Sequence, residues 1–135
     1  MKKVLFLCKH NSARSQMAEG LLRGLYGNEY EAFSAGSIPS RVNPCALRAM
    51  TEIGMDISGQ RSKSIEEFRG EEFDYVVTLC DEALEACPFF RGKKMLHKGF
   101  KDPSVLKGGK DEILTAFRQL RDEIRKWIEE MFGRD

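Results

Sequence analysis

What the chain lacks narrows it first. Neither sign of charge is in excess: Lys and Arg number 22 against 21 Asp and Glu in 135 residues. The composition therefore builds no polyanion-binding surface, and nucleic-acid partners find no support in it. No apolar stretch approaches the roughly 18 residues of a membrane-spanning helix. Met1-Lys2-Lys3 precedes an apolar run, but Cys8-Lys9-His10 follows too soon for an export signal, so a cytoplasmic location is expected. The only histidines, His10 and His97, lie far apart, and there is no Cys-x2-Cys pair, so neither zinc nor another metal site is expected. Four cysteines in a reducing compartment do not read as a disulfide framework. Thiol chemistry is what remains. With no internal repeat, low-complexity tract or linker, residues 1–135 are expected to form one domain.

What is present centres on Val4-Leu5-Phe6-Leu7-Cys8-Lys9-His10-Asn11-Ser12-Ala13-Arg14-Ser15. The apolar run suits a strand buried on both faces. After Arg14 and Ser15, Met17, Leu21, Leu22 and Leu25 fall at helical spacing. Cys8 thus stands at a strand's carboxyl end and Arg14 at a helix's amino end. A loop of this length can turn its amides inward, and the helix start adds partial positive charge; together they suit a tetrahedral oxyanion and favour a thiolate. Arg14 can bring a planar fork over such an anion, and Ser15 can donate to the sulfur. Spacing therefore favours Cys8 as a nucleophile over one more buried cysteine.

The rest of the chain alternates strand and helix. The first helix is expected over about 12–26, a strand over 31–36, and a helix opening at Asn43-Pro44 with Leu47, Met50 and Ile53 inward. Cys45 lies in its first turn and is read as packing. Ser64-Ile65-Glu66-Glu67 has the form of a capping box. Strands follow over 73–80 and 95–97. A last helix over about 110–131 carries Ile113, Phe117, Leu120, Ile124, Trp127, Ile128 and Met131. This pattern predicts an α/β fold: a three-layer sandwich around a four-stranded parallel sheet with helices on both faces. Ligands of such sheets bind beyond the strands' carboxyl ends. Cys8, Ser34 and Cys80 stand at three of those ends, and Asp102 follows the fourth.

Cys80 and Cys87 bracket a segment in which Asp81 suits an N-cap, residues 82–86 favour helix and Pro88 ends it. If helical, it separates the two cysteines by about 10 Å along the axis, whereas a disulfide needs its Cα atoms within about 7 Å. Bonding them would require the segment to unwind. Both cysteines are either inert or members of a thiol relay with Cys8.

Cys-x5-Arg-Ser between strand and helix resembles the phosphate-binding loop of the low-molecular-weight protein tyrosine phosphatase fold. Further stretches narrow the resemblance to the thioredoxin-coupled arsenate reductases of that fold. They are Cys8 to Gly20, Phe33-Ser34-Ala35-Gly36, Val42-Asn43-Pro44, Asp56-Ile57-Ser58, Val76 to Cys87-Pro88 and His97 to Pro103. A phosphatase of this fold is expected to carry tyrosine after the Asp-Pro pair; here Ser104 follows Asp102-Pro103.

The resemblance implies that arsenate docks on the amides of Lys9, His10, Asn11, Ser12, Ala13 and Arg14 and on the Arg14 side chain. Cys8 attacks arsenic while Asp102 gives a proton to the departing hydroxide. Cys80 then attacks the Cys8 sulfur, Cys87 attacks Cys80, and thioredoxin reduces the Cys80–Cys87 disulfide. No cofactor or metal takes part, and a monomer is expected. Two departures stand out. His10 occupies a position where relatives often have glycine, as a charged neighbour of the site or a solvent-facing imidazole. Lys63 stands where some relatives have an aspartate that helps hold potassium with residues matching Asn11, Glu19 and Ser34; its ammonium would replace the ion. The alternatives are a phosphatase using Cys8, Arg14, Ser15 and Asp102, and a non-catalytic oxyanion-binding module.

Overall fold

A computed structural model describes residues 1–80, 92–103 and 106–133. Its elements are β1 (Lys2–Leu7), α1 (Arg14–Tyr26), β2 (Tyr30–Ala35), α2 (Pro44–Thr51), a 3-10 turn (Ile65–Phe68), β3 (Phe73–Thr78), β4 (Gly92–His97) and α3 (Lys110–Phe132). The strands form one parallel sheet in the order β2-β1-β3-β4. β1 sits inside it with Val4 to Leu7 fully buried, which is why its sequence is continuously apolar instead of alternating.

The pleat of β1 divides the interior. Val4 and Phe6 join the cluster that packs α1, α2 and α3 against the sheet. Leu5 and Leu7 join a second cluster on the other face, closed by Ile65 and Phe68 of the 3-10 turn. There Phe33, Phe68 and Phe73 meet edge to face with centroids 5.7 to 5.8 Å apart.

Local chemistry explains the element ends. Asn43 Oδ1 accepts from the Cys45 amide at 2.8 Å, with Pro44 at the first helical position. The face that α2 buries is Ala46, Ala49 and Met50; Leu47 and Ile53 are only partly covered, and Ile53 lies past the helix end. Ser64 opens a 3-10 turn rather than a full capping box. Its hydroxyl takes the Glu66 amide, while the Glu67 carboxylate turns away to pair with Arg61. In α3 the buried stripe is Leu114, Phe117, Leu120, Ile124, Ile128 and Phe132. Ile113 and Trp127 are partly covered, and Met131 is exposed. Phe132 takes the inward position because Phe6, Tyr30, Tyr75 and Trp127 surround its ring.

The chain leaves β1 toward β2 on one side and returns to β3 on the other, so the sheet's switch point lies at the carboxyl ends of β1 and β3. Cys8 and Cys80 follow those two strands. The helix expected after Asp81, together with Cys87 and Pro88, lies outside the described residues. Among the described residues no helix is long and apolar enough to cross a membrane.

Candidate active site

The loop from Cys8 to Arg14 is held from outside by its carbonyls. Lys9, His10 and Ser12 accept from the amides of Ile38, Ser40 and Asn43 at 2.8, 3.2 and 2.9 Å. Among the described residues, no backbone amide from 9 to 14 donates to a protein acceptor. α1 begins at Arg14 with no side-chain cap and no acidic residue in its first turn, so its positive end is left open. Unspent donors and an uncapped helix start facing one loop make an oxyanion cradle.

A cavity of about 170 Å³ opens over this loop, lined by Cys8, His10, Ser12, Ala13, Arg14, Ser40, Asn43 and Asp102. Arg14 is fixed at its mouth: Nη1 donates to the Phe100 carbonyl at 3.1 Å, and Nη2 lies 3.5 Å from Asp102 Oδ2. The loop after β4 thereby brings a carboxyl group across from the thiol. His10 donates from Nδ1 to the Ile38 carbonyl at 3.0 Å, since a carbonyl can only accept. That bond tethers the half-buried imidazole to the segment after β2.

Behind the thiol the polar groups are ordered. Cys8 Sγ lies 2.8 Å from Ser15 Oγ, and Asn11 Nδ2 donates to the same Ser15 oxygen at 2.8 Å. The Lys63 amide donates to Asn11 Oδ1 at 3.0 Å, which fixes the orientation of that side chain. Ser15 thus accepts from Asn11, and when Cys8 is a thiolate, which can only accept, the Ser15 proton goes to sulfur. Asn11 takes a left-handed backbone (φ 48°), a conformation that asparagine tolerates better than most residues. Beneath the loop lies Gly36. A Cβ there would stand 2.6 Å from the Lys9 carbonyl oxygen and 2.8 Å from both Asn11 N and Cys8 O.

Comparison with known proteins agrees with this geometry. The family model described as low molecular weight phosphotyrosine protein phosphatase matches residues 3–134. The chain belongs to that family. Within it, the chain is 45% identical to an arsenate reductase of Halalkalibacterium halodurans, over 94% of this chain and 92% of the relative. A solved arsenate reductase in its phosphate-binding state superposes with a TM-score of 0.84 at 36% identity, covering 98% of both chains. The thioredoxin-dependent arsenate reductase of Corynebacterium glutamicum superposes with a TM-score of 0.67 at 31% identity, over 96% of this chain and 63% of that one.

Against the family's loop, the remaining site residues fall into place as follows. Cys80 is buried in the same apolar cluster as Cys8, and among the described residues the two are not joined by a disulfide. Cys45 packs at the edge of the main core. Lys63 Nζ lies 3.5 Å from Glu19 Oε1, 3.5 Å from Ser34 Oγ and 3.1 Å from the Arg61 carbonyl. Ser34 also donates to Glu19 Oε1 at 2.6 Å. Burial lowers the Lys63 pKa and the charge of Glu19 pulls the other way. Among the described residues no His, Cys, Asp and Glu cluster could hold a metal ion.

Sequence reasoning missed several of these contributors. Ser40 lines the cavity and carried no signal in its loop, and Asn43 was legible only as a helix cap. Gly36 reads as the end of a strand, yet its lack of a side chain lets the thiol loop rest on β2. Gln16, which no motif singled out, is fully buried against Asn11.

Proposed function

We propose that this chain reduces arsenate to arsenite through the thiols of Cys8, Cys80 and Cys87, with thioredoxin restoring them. The observation that carries this reading is a second buried thiol, Cys80, in the apolar cluster that holds Cys8. A phosphatase has no use for it, and the similarity to arsenate reductases points the same way.

In this scheme arsenate sits on the amides of residues 9–14 with the Arg14 fork across two oxygens. The Cys8 sulfur bonds to arsenic, and the departing hydroxide leaves as water with a proton supplied by Asp102. Cys80 then attacks the Cys8 sulfur. The S–As bond breaks with its electron pair staying on arsenic, which leaves as arsenite, and a Cys8–Cys80 disulfide remains. Cys87 attacks Cys80, freeing the Cys8 thiolate, and thioredoxin reduces the resulting Cys80–Cys87 disulfide. Two thiols supply the two electrons, and neither a metal nor a prosthetic group enters the sequence. Lys63 takes the place of a structural cation beside Glu19. The chain works as a single domain, as a monomer in the cytoplasm, where thioredoxin is reduced.

The test is arsenate turnover with thioredoxin, thioredoxin reductase and NADPH, using wild type, Cys8→Ser, Cys80→Ser and Cys87→Ser, with glutaredoxin and glutathione as a second reductant. Only wild type is expected to cycle. The phosphatase reading instead requires aryl phosphate hydrolysis that survives Cys80→Ser undiminished, without arsenate turnover.

A further inference from the structure

Five side chains stand in line behind Cys8, and the four links among them point the same way, toward the sulfur. Arg23 Nη1 donates to Gln60 Oε1 at 2.8 Å, Gln60 Nε2 to Gln16 Oε1 at 2.8 Å, and Gln16 Nε2 to Asn11 Oδ1 at 2.9 Å. Asn11 Nδ2 donates to Ser15 Oγ at 2.8 Å, and Ser15 lies 2.8 Å from the Cys8 sulfur.

The direction is imposed by the backbone. Gln60 Nε2 also faces the Gln16 carbonyl, and Gln16 Nε2 faces the carbonyls of Asn11 and Arg61, all of which can only accept. The Lys63 amide pins the Asn11 oxygen, and a guanidinium that can only donate pins Gln60. Reversing any amide would set oxygen against oxygen or N–H against N–H. Hydrogen bonds aligned head to tail in a buried setting polarise one another. This chain of dipoles presents its positive end to the sulfur.

The far end is exposed. Arg23 and Gln60 line a cleft of about 420 Å³ together with Glu19, Asp56, Arg61 and Lys63. Arg23 also pairs with Glu19, so the charge at the head of the line depends on what occupies that cleft.

We propose that Gln16 and Gln60 are positioning residues that, with Arg23 at their head, hold the Cys8 thiolate through Asn11 and Ser15, coupling the nucleophile to the cleft on the far side of the loop. This rests on Cys8 being the nucleophile. The other charged or titratable groups around the sulfur are Arg14 and His10 of its own loop, Cys80 after β3 and Asp102 after β4. The substitutions at Gln60 and Arg23 touch none of them, and the serine at position 80 is common to every protein compared.

The experiment is the rate of Cys8 alkylation by iodoacetamide against pH, in protein whose other cysteines are serine, for Gln60→Met, Arg23→Met and Arg23→Lys. Gln60→Met breaks the line with no change of charge at a half-buried site. It should move the profile's midpoint to higher pH and slow alkylation near neutrality by roughly threefold to tenfold. Arg23→Met should move it the same way, and Arg23→Lys, which still donates, should restore it. An unmoved midpoint in both Met variants overturns the proposal, whether rates are unchanged or lowered equally at every pH, as loop loosening alone would do. Arg23 is exposed, so its variants decide the matter if Gln60→Met fails to fold. A shifted midpoint in protein whose wild type does not turn over arsenate supports the relay and overturns the proposed reaction instead.

Discussion

Arg14 Nη2 stands 3.5 Å from Asp102 Oδ2, joining the start of α1 to the segment after β4 across the mouth of the cavity that holds Cys8. The carboxyl group offsets the guanidinium's charge, and in the proposed reaction it also supplies the proton to the departing oxygen. Asp102→Asn should lower kcat about a hundredfold or more by removing the proton donor. It should also tighten inorganic phosphate binding, because Arg14 loses a competitor for the oxyanion. Steady-state kinetics and phosphate titration check both; weaker phosphate binding would show that Asp102 organises Arg14 instead of competing with it.

Gly36→Ala tests the floor of the loop. All three atoms nearest the added Cβ are backbone, at 2.6 to 2.8 Å, and cannot swing aside as a side chain would. The loop must shift, with a stability cost of about 1–3 kcal/mol. Misplacing the cradle by even a fraction of an ångström should lower turnover on the order of tenfold to a hundredfold. Thermal unfolding and turnover are the measurements; wild-type activity in this variant would mean that the loop does not rest on β2 as described.

Lys63 and Arg23 both pair with Glu19, whose side chain is 5% exposed, and Lys63 also reaches Ser34. Wild-type turnover should be indifferent to potassium. Lys63→Ala should be slower and recover with potassium chloride but not with choline chloride at equal ionic strength. A wild type stimulated by potassium would contradict the substitution of ammonium for metal ion.

Glu52 ties the end of α2 to α3. Hydrogen bonding from Arg118 is the largest cause holding its pKa below the ordinary value of 4.5, against a smaller opposing effect of desolvation; the charges of Arg118 and Arg121 also lower it. A carboxylate with a lowered folded value adds stability that is present above the unfolded value and lost as pH falls through the folded one. Glu52→Gln should therefore have a lower Tm than wild type near about pH 6, with the difference closing toward about pH 3. A Tm difference that stays constant over this range would remove the carboxylate's charge from the explanation.

Much of the fold was legible because β1 and α3 carry strong single signals: a continuous apolar strand, and apolar residues stepping by three and four. The ends of the α3 stripe were not. A period of 3.6 lets Ile113 or Leu114, and Met131 or Phe132, continue the same stripe. At the carboxyl end the choice falls to aromatic neighbours of Phe132 from β1, β2 and β3 that no local window contains. At the site, Cys8, Arg14 and Ser15 were legible through one short spacing, and Asp102 through the strand-end rule. The line through Gln16 and Gln60 was not, because its partners are 44 residues apart and glutamine on a helix or loop reads as surface. Gly36 signals a turn in sequence, while its role depends on what packs above it.

In the proposed relay, oxidation passes from Cys8 outward through Cys80 to Cys87. The direct measurement is mass spectrometry of the alkylated, non-reduced protein after one round of arsenate in the absence of thioredoxin. The expected product is a peptide in which Cys80 is bonded to Cys87, with Cys8 alkylated and arsenite formed in equal amount. Arsenite formed while Cys80 and Cys87 both remain open to alkylation would contradict it.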